Sequence, residues 1–110
     1  MAWFIGLMSG TSLDGVDAVL ADITPTGQLQ GQGHVHLAMP SALRAELMAL
    51  NQSGADEVHR AALAANALMR LYSQAVSDLL ARVGMDAADI TALGAHGQTV
   101  RHRQIGRAHV

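Results

Sequence analysis

Apolar positions gather in two short runs near the start of the chain, Trp3 to Met8 and Val16 to Ile23, separated by Ser9-Gly10-Thr11-Ser12-Leu13-Asp14-Gly15. Two apolar runs bounding such a loop predict a β-hairpin. Thr24-Pro25-Thr26-Gly27 predicts a turn, because Pro presets φ and Gly frees it. Gln28 to Met39 then reads as a third strand, clearest over His34 to Met39. Gly31 and Gly33 weaken its first half and mark an irregular edge. His34 and His36 alternate, so both face the same side.

After Pro40 the period lengthens. Ser41 is a fair N-cap for a helix running to about Leu50, with Leu43, Leu47 and Leu50 on one face. Asn51 to Ala55 breaks it, and Ser53 with Asp56 forms a capping-box pattern. A longer helix is expected from about Ala55 to Val83. Leu68, Tyr72, Ala75 or Val76, Leu79 and Val83 make its apolar stripe, widened by Met69 and Leu80. Ala61, Ala62, Ala64, Ala65 and Ala67 would let its first half pack closely. His59 and Arg60 stand there without a partner constellation.

Gly84 fits a C-cap, and Asp86 to Ile90 has room for one helical turn. Ile90 to Ala95 reads as a buried strand that feeds into His96-Gly97-Gln98-Thr99. A strand–helix–strand passage favours a parallel, right-handed crossover. It puts the loop after the last strand at a carboxyl edge, where ligands bind in α/β sheets. The pattern is therefore α/β: a three-strand meander, helices, then a parallel strand.

Composition narrows the chemistry. A chain of 110 residues is one domain or part of one. Charged residues are 15% of it, below the roughly 25% of ordinary globular chains, which hints at surface covered by more protein. A net charge of −2 gives no footprint for nucleic acid. All seven basic residues are Arg, so a catalytic Lys and the P-loop Lys are excluded within this stretch. Without cysteine there are no disulfides or thiolate metal sites. The start lacks the pattern of a signal peptide, and no apolar run approaches the about 20 residues of a membrane span. A cytoplasmic, soluble setting is the expectation.

Two loops carry candidate chemistry. The first holds three hydroxyls, a carboxylate and two glycines within seven residues. Gly10 and Gly15 would give access to positive φ and let another molecule approach the main chain. Successive N–H groups with added hydroxyls suit phosphate oxygens. Asp14 and Asp17 would act there through a metal ion or its waters. The same composition also satisfies an ordinary turn. In the second loop His96 can donate, accept or carry a proton, and Gln98 and Thr99 suit sugar oxygens. A plain polar turn fits these residues as well. His34 and His36 could ligate a metal, but no third ligand follows nearby, and a solvent-facing role is the simpler expectation.

Phe4-Ile-Gly-Leu-Met-Ser-Gly-Thr-Ser-Leu-Asp-Gly-Val-Asp17 resembles the opening signature of the bacterial anhydro-N-acetylmuramic acid kinases. Ala95-His-Gly-Gln-Thr-Val100 resembles a second motif of that family, in the right order and at a compatible distance. The resemblance spans about residues 3–103. Beyond Arg103 it stops, and Ile105-Gly-Arg-Ala-His-Val110 reads like a translated sequencing-adapter remnant. The expected organisation is thus residues 1–103 as the truncated start of a first kinase lobe and 104–110 as a non-native tail.

The resemblance implies the first part of an actin-like or hexokinase-like ATPase domain of the ribonuclease H-like kind. It implies ATP and Mg²⁺ as cofactors, with Gly10, Thr11, Ser12, Leu13, Asp14, Gly15, Val16 and Asp17 around the phosphates. Asp14 and Asp17 would meet the metal through water, and His96, Gln98 and Thr99 would face the sugar or brace its loops. The implied reaction hydrolyses the 1,6-anhydro ring of anhydro-N-acetylmuramic acid and phosphorylates the sugar to N-acetylmuramic acid 6-phosphate, in peptidoglycan recycling. The catalytic aspartate of the family is expected beyond this stretch, so the fragment alone should be inactive. The expected partner is a small amino sugar, with neither nucleic acid nor membrane, and a homodimer is an option for the full-length protein. A non-catalytic nucleotide- or phosphate-binding module, or a small α/β interaction domain, would use the same residues without turnover.

Overall fold

The computed structural model describes residues 2–9, 13–96 and 98. Four strands form one mixed sheet. β1 (Ala2–Ser9), β2 (Gly15–Ile23) and β3 (Leu29–Ala38) make an antiparallel meander, and β4 (Ala92–Ala95) joins β1 in parallel, giving the order β3-β2-β1-β4. This is the α/β arrangement expected from the sequence. The turn between β2 and β3 is closed by bonds from the Gly27 amide to the Thr24 carbonyl and from the Thr24 amide to the Gln28 carbonyl, with Gly27 at φ 85°. The β2–β3 register shifts between Leu20 and Ala21, opposite Gly33 and Gly31. That is the irregularity the two glycines predict.

Strand alternation gives the sheet two unlike faces. Ile5, Leu7 and Ser9 of β1 pair with Leu20, Ala18 and Val16 of β2, and all six are buried. Against this face lies α2 (Glu57–Val83), which buries Ala64, Leu68, Tyr72, Ala75 and Leu79 at three- and four-residue spacing. Leu20 and Leu79 are almost wholly enclosed, each burial being worth about 1.5–3 kcal/mol. α1 (Ser41–Ala49) adds Leu47, and Leu50 follows it into the core. Gly33 lets α2 sit close: a Cβ there would come 2.8 Å from Val83. The opposite face carries Met8, Val19 and Ile23 exposed, beside Asp17, His34 and His36.

Several local expectations need correction. Ser41 is the first residue of α1 rather than its N-cap; extended Pro40 holds that position, and no side chain caps the helix. The Ser53–Asp56 capping box does not form. Asp56 sits in the left-handed region at φ 53°, a conformation that Asp tolerates, and α2 begins at Glu57. A capping box does occur around the single 3₁₀ turn Ala87–Asp89, between Asp86 and Asp89. Gly84 closes α2 at φ 72°, as expected of a C-cap.

Met69 is exposed, and of the five alanines only Ala64 is buried, because α2 turns a narrower stripe to the sheet than its composition suggests. Arg60 has a partner after all: its guanidinium donates to Glu46 of α1 and to the Ala55 carbonyl. β4 is exposed throughout rather than buried. It lies at the sheet edge, whereas α2 packs over β2 and β3.

Candidate functional site

Two loops leave the same end of the sheet because β1 and β4 run parallel. Leu7 pairs with Ala95, and the ladder continues with the His96 amide donating to the Leu7 carbonyl at 2.9 Å. Ser9 at the end of β1 and His96 just after β4 therefore stand beside each other at the carboxyl edge.

Tyr72 fixes this juncture from below. Its hydroxyl donates to the His96 carbonyl at 2.7 Å and lies 3.1 Å from the Ser9 hydroxyl. A phenol has one proton, and it is committed to His96, so Ser9 donates to Tyr72. Ser9 and Tyr72 are both buried, so no bulk water replaces these bonds. By its spacing along the sequence Tyr72 is only a member of the helix stripe. Its hydroxyl role depends on tertiary placement, and no local pattern announces it.

The first loop re-enters the described residues at Leu13. Leu13 is buried yet left-handed, at φ 58°. Such backbone is costly for a branched aliphatic residue and persists where surrounding packing holds it. The Asp14 carbonyl accepts from the Met39 amide at 3.1 Å, tying the loop to the end of β3, while the Asp14 side chain is exposed. Gly15 and Val16 are buried at the start of β2. Gly15 does not adopt positive φ, which corrects the sequence reading of that residue. A Cβ there would overlap the Leu37 carbonyl and come within 2.6 Å of His36 Nε2. The molecule that approaches Gly15 closely is the neighbouring strand. Gly10, Thr11 and Ser12 lie outside the described residues, as do Gly97, Thr99 and residues 104–110.

Asp17 sits on the helix-free face, directly opposite His36 in the β2–β3 register. Its Oδ1 accepts from His34 Nε2 at 2.8 Å and from His36 Nδ1 at 2.9 Å. A carboxylate only accepts, so these two nitrogens carry the protons. The His34 bond, aided by that from His36 and by both ring charges, holds the Asp17 carboxyl below its ordinary range against the opposing effect of desolvation. The two histidines share a solvent-exposed face, as their alternation predicts, and the partner they share is Asp17. Counting the register back from the Thr24–Gly27 turn would set Asp17 opposite Val35; the one-residue shift between Leu20 and Ala21 brings it opposite His36 instead.

Among the described residues no group of three or more His, Cys, Asp or Glu is arranged to hold a metal ion. Mg²⁺ in phosphoryl-transfer sites needs only one or two carboxylates besides phosphates and water. Asp14, exposed just before β2, and Asp17, which holds two imidazoles on one oxygen, are the two carboxylates next to the loop.

The second loop is described at His96 and Gln98. The His96 backbone is bonded on both sides, which leaves its exposed imidazole to face outward. Gln98 is half-buried at the rim of a groove of about 400 Å³, lined also by Leu47, Leu50, Leu68, Tyr72 and Ala95. No helix among the described residues is long and apolar enough to cross a membrane.

The family model for anhydro-N-acetylmuramic acid kinase matches residues 2–110. An anhydro-N-acetylmuramic acid kinase of Bordetella petrii is 60% identical over 100 residues, which cover 91% of this chain and 26% of the relative. The corresponding protein of Variovorax paradoxus gives the same figures, 60% over 100 residues with 91% and 26% covered. That of Thiobacillus denitrificans is 54% identical over 112 residues, covering 96% of this chain and 30% of the relative. The chain thus spans about a quarter of the length of the curated relatives it matches. With both motif loops issuing from one sheet edge and the match running along the chain, this protein belongs to the anhydro-N-acetylmuramic acid kinase family.

Proposed function

We propose that this chain forms the nucleotide-holding start of an ATP-dependent sugar kinase. In that reaction water opens the 1,6-anhydro ring of anhydro-N-acetylmuramic acid, and the γ-phosphoryl group of ATP passes to the sugar's 6-oxygen. The product is N-acetylmuramic acid 6-phosphate, and the setting is cytoplasmic recycling of cell-wall sugars. The observation that carries this reading is the Ser9–Tyr72–His96 bridge, which joins the two motif loops at one edge.

Phosphoryl transfer is achieved mainly by positioning and charge neutralisation. In this reading the backbone amides of residues 10–12 hold phosphate oxygens, with the Thr11 and Ser12 hydroxyls assisting. Residues 13–17 shape the loop: buried Leu13 anchors it, Gly15 permits the close strand beneath it, and Asp14 offers its exposed carboxylate to Mg²⁺ or its waters. Mg²⁺ would neutralise charge on the phosphates. Asp17 orients two imidazoles beside the loop and has one oxygen left for a water. His96, Gln98 and Thr99 face the sugar or brace the loops around it.

The aspartate that activates water lies, on this proposal, outside these 110 residues. Residues 1–103 belong to the first lobe and 104–110 are a non-native tail. Alone, the chain binds nucleotide without turnover; its span of about a quarter of its relatives favours that reading for the isolated chain.

Product analysis tests the assignment. The reading frame continued past residue 103 should convert the anhydro sugar and ATP to the 6-phosphate, and the 110-residue chain should not. An extended protein that leaves the sugar untouched, or a short chain that phosphorylates it, contradicts the proposal.

A further inference from the structure

We infer that the Tyr72 hydroxyl is a positioning group that couples the two motif loops, so that nucleotide held by the loop after β1 is sensed at His96. The inference rests on the proposed nucleotide site and adds a residue to it.

Tyr72 is held on three sides. Its own helix is anchored to the sheet by Leu68, Ala75 and Leu79, all buried. Its hydroxyl accepts from Ser9, the last residue of β1 and the neighbour of Gly10. It donates to the carbonyl of His96, the neighbour of Gly97. A displacement of Ser9 by a ligand on residues 10–12 therefore moves an oxygen bonded to the second loop. The 2.7 Å bond is buried at its Tyr72 end, where water cannot readily take over.

A second connection runs in parallel: the His96 amide bonds to the Leu7 carbonyl through the sheet ladder. Removing the phenol oxygen leaves that ladder intact. The two routes are thus separable by Tyr72→Phe, which keeps the ring and its packing. Coupling between sites is a free energy and needs such a direct measurement.

The experiment is an amide NMR titration of the ¹⁵N-labelled 110-residue chain with Mg·ATP, following residues 9–17 and His96. In the wild type both sets should shift along one binding curve. In Tyr72→Phe the loop residues should still shift, while most of the response at His96 is lost. Ser9→Ala keeps the Tyr72–His96 bond but cuts its tie to β1, so it should give the same loss. It decides the matter if Tyr72→Phe fails to fold. A His96 response that survives both substitutions overturns the inference and leaves the nucleotide reading standing. A wild-type chain whose loop residues do not shift at all overturns the nucleotide reading and the inference with it.

Discussion

The imidazole of His36 lies over the backbone of Gly15, so close that a Cβ on Gly15 would come 2.5 Å from Cε1 and 2.6 Å from Nε2. The same substituent would overlap the Leu37 carbonyl oxygen, which belongs to the backbone and cannot swing aside. Gly15 therefore permits close packing of β3 against the end of the motif loop. Gly15→Ala should destabilise the fold by about 1–3 kcal/mol, the usual range for overpacking. Gly94→Ala, with nothing within 4 Å of the added Cβ, should stay within about 0.5 kcal/mol of wild type. Urea denaturation of both variants checks the contrast, and equal losses would contradict it.

Leu13 combines a buried side chain with left-handed backbone. Leu13→Ala forfeits the burial and keeps the strain, so a loss of about 2–5 kcal/mol is expected. Leu13→Gly forfeits the same burial but relieves the backbone, a gain of about 1 kcal/mol relative to alanine. Glycine should thus be the milder substitution, the reverse of its usual rank inside a strand or helix. Denaturation midpoints that place Leu13→Gly below Leu13→Ala would show that the strain is absent.

Asp17 makes stability depend on acid. Its folded carboxyl is held below the ordinary carboxylate value, chiefly by the His34 hydrogen bond. The unfolded chain therefore takes up this proton first as pH falls. The contribution is present above the ordinary carboxylate range, about pH 4, and fades as pH drops through the lowered folded value. Thermal melts of wild type and Asp17→Asn along the acid limb should differ most at its upper end and converge toward pH 2. A difference that grows as acid is added would carry the wrong sign. The effect should be modest, because the Asp17 side chain is 42% exposed.

Much of this fold is legible in residue order. Two short apolar runs mark β1 and β2, the His34 to Met39 stretch marks β3, the Leu68-Tyr72-Ala75-Leu79 spacing marks the buried stripe of α2, and Gly27 and Gly84 mark a turn and a helix end. These signals are local, and local sequence carries them. The Ser53–Asp56 pattern misleads because the third residue after the cap in a capping box must be right-handed helical, and Asp56 is left-handed. β4 misleads because an apolar strand is buried only where something lies on it. At the site, composition picks out the two polar loops, and the family resemblance marks them as motifs. The Tyr72 bridge, the strain at Leu13 and the reason for Gly15 are not legible that way, since each arises from contacts between elements distant along the chain.

The claim that the loop after β1 holds nucleotide phosphates is tested most directly by calorimetric titration of the chain with Mg·ATP. The account predicts saturable binding that falls at least about tenfold in Gly10→Val and in Thr11→Ala, equivalent to about 1.4 kcal/mol. Thr26→Ala, in the exposed turn between β2 and β3, should leave binding unchanged. No binding by the wild-type chain, or equal binding by all four proteins, would contradict it.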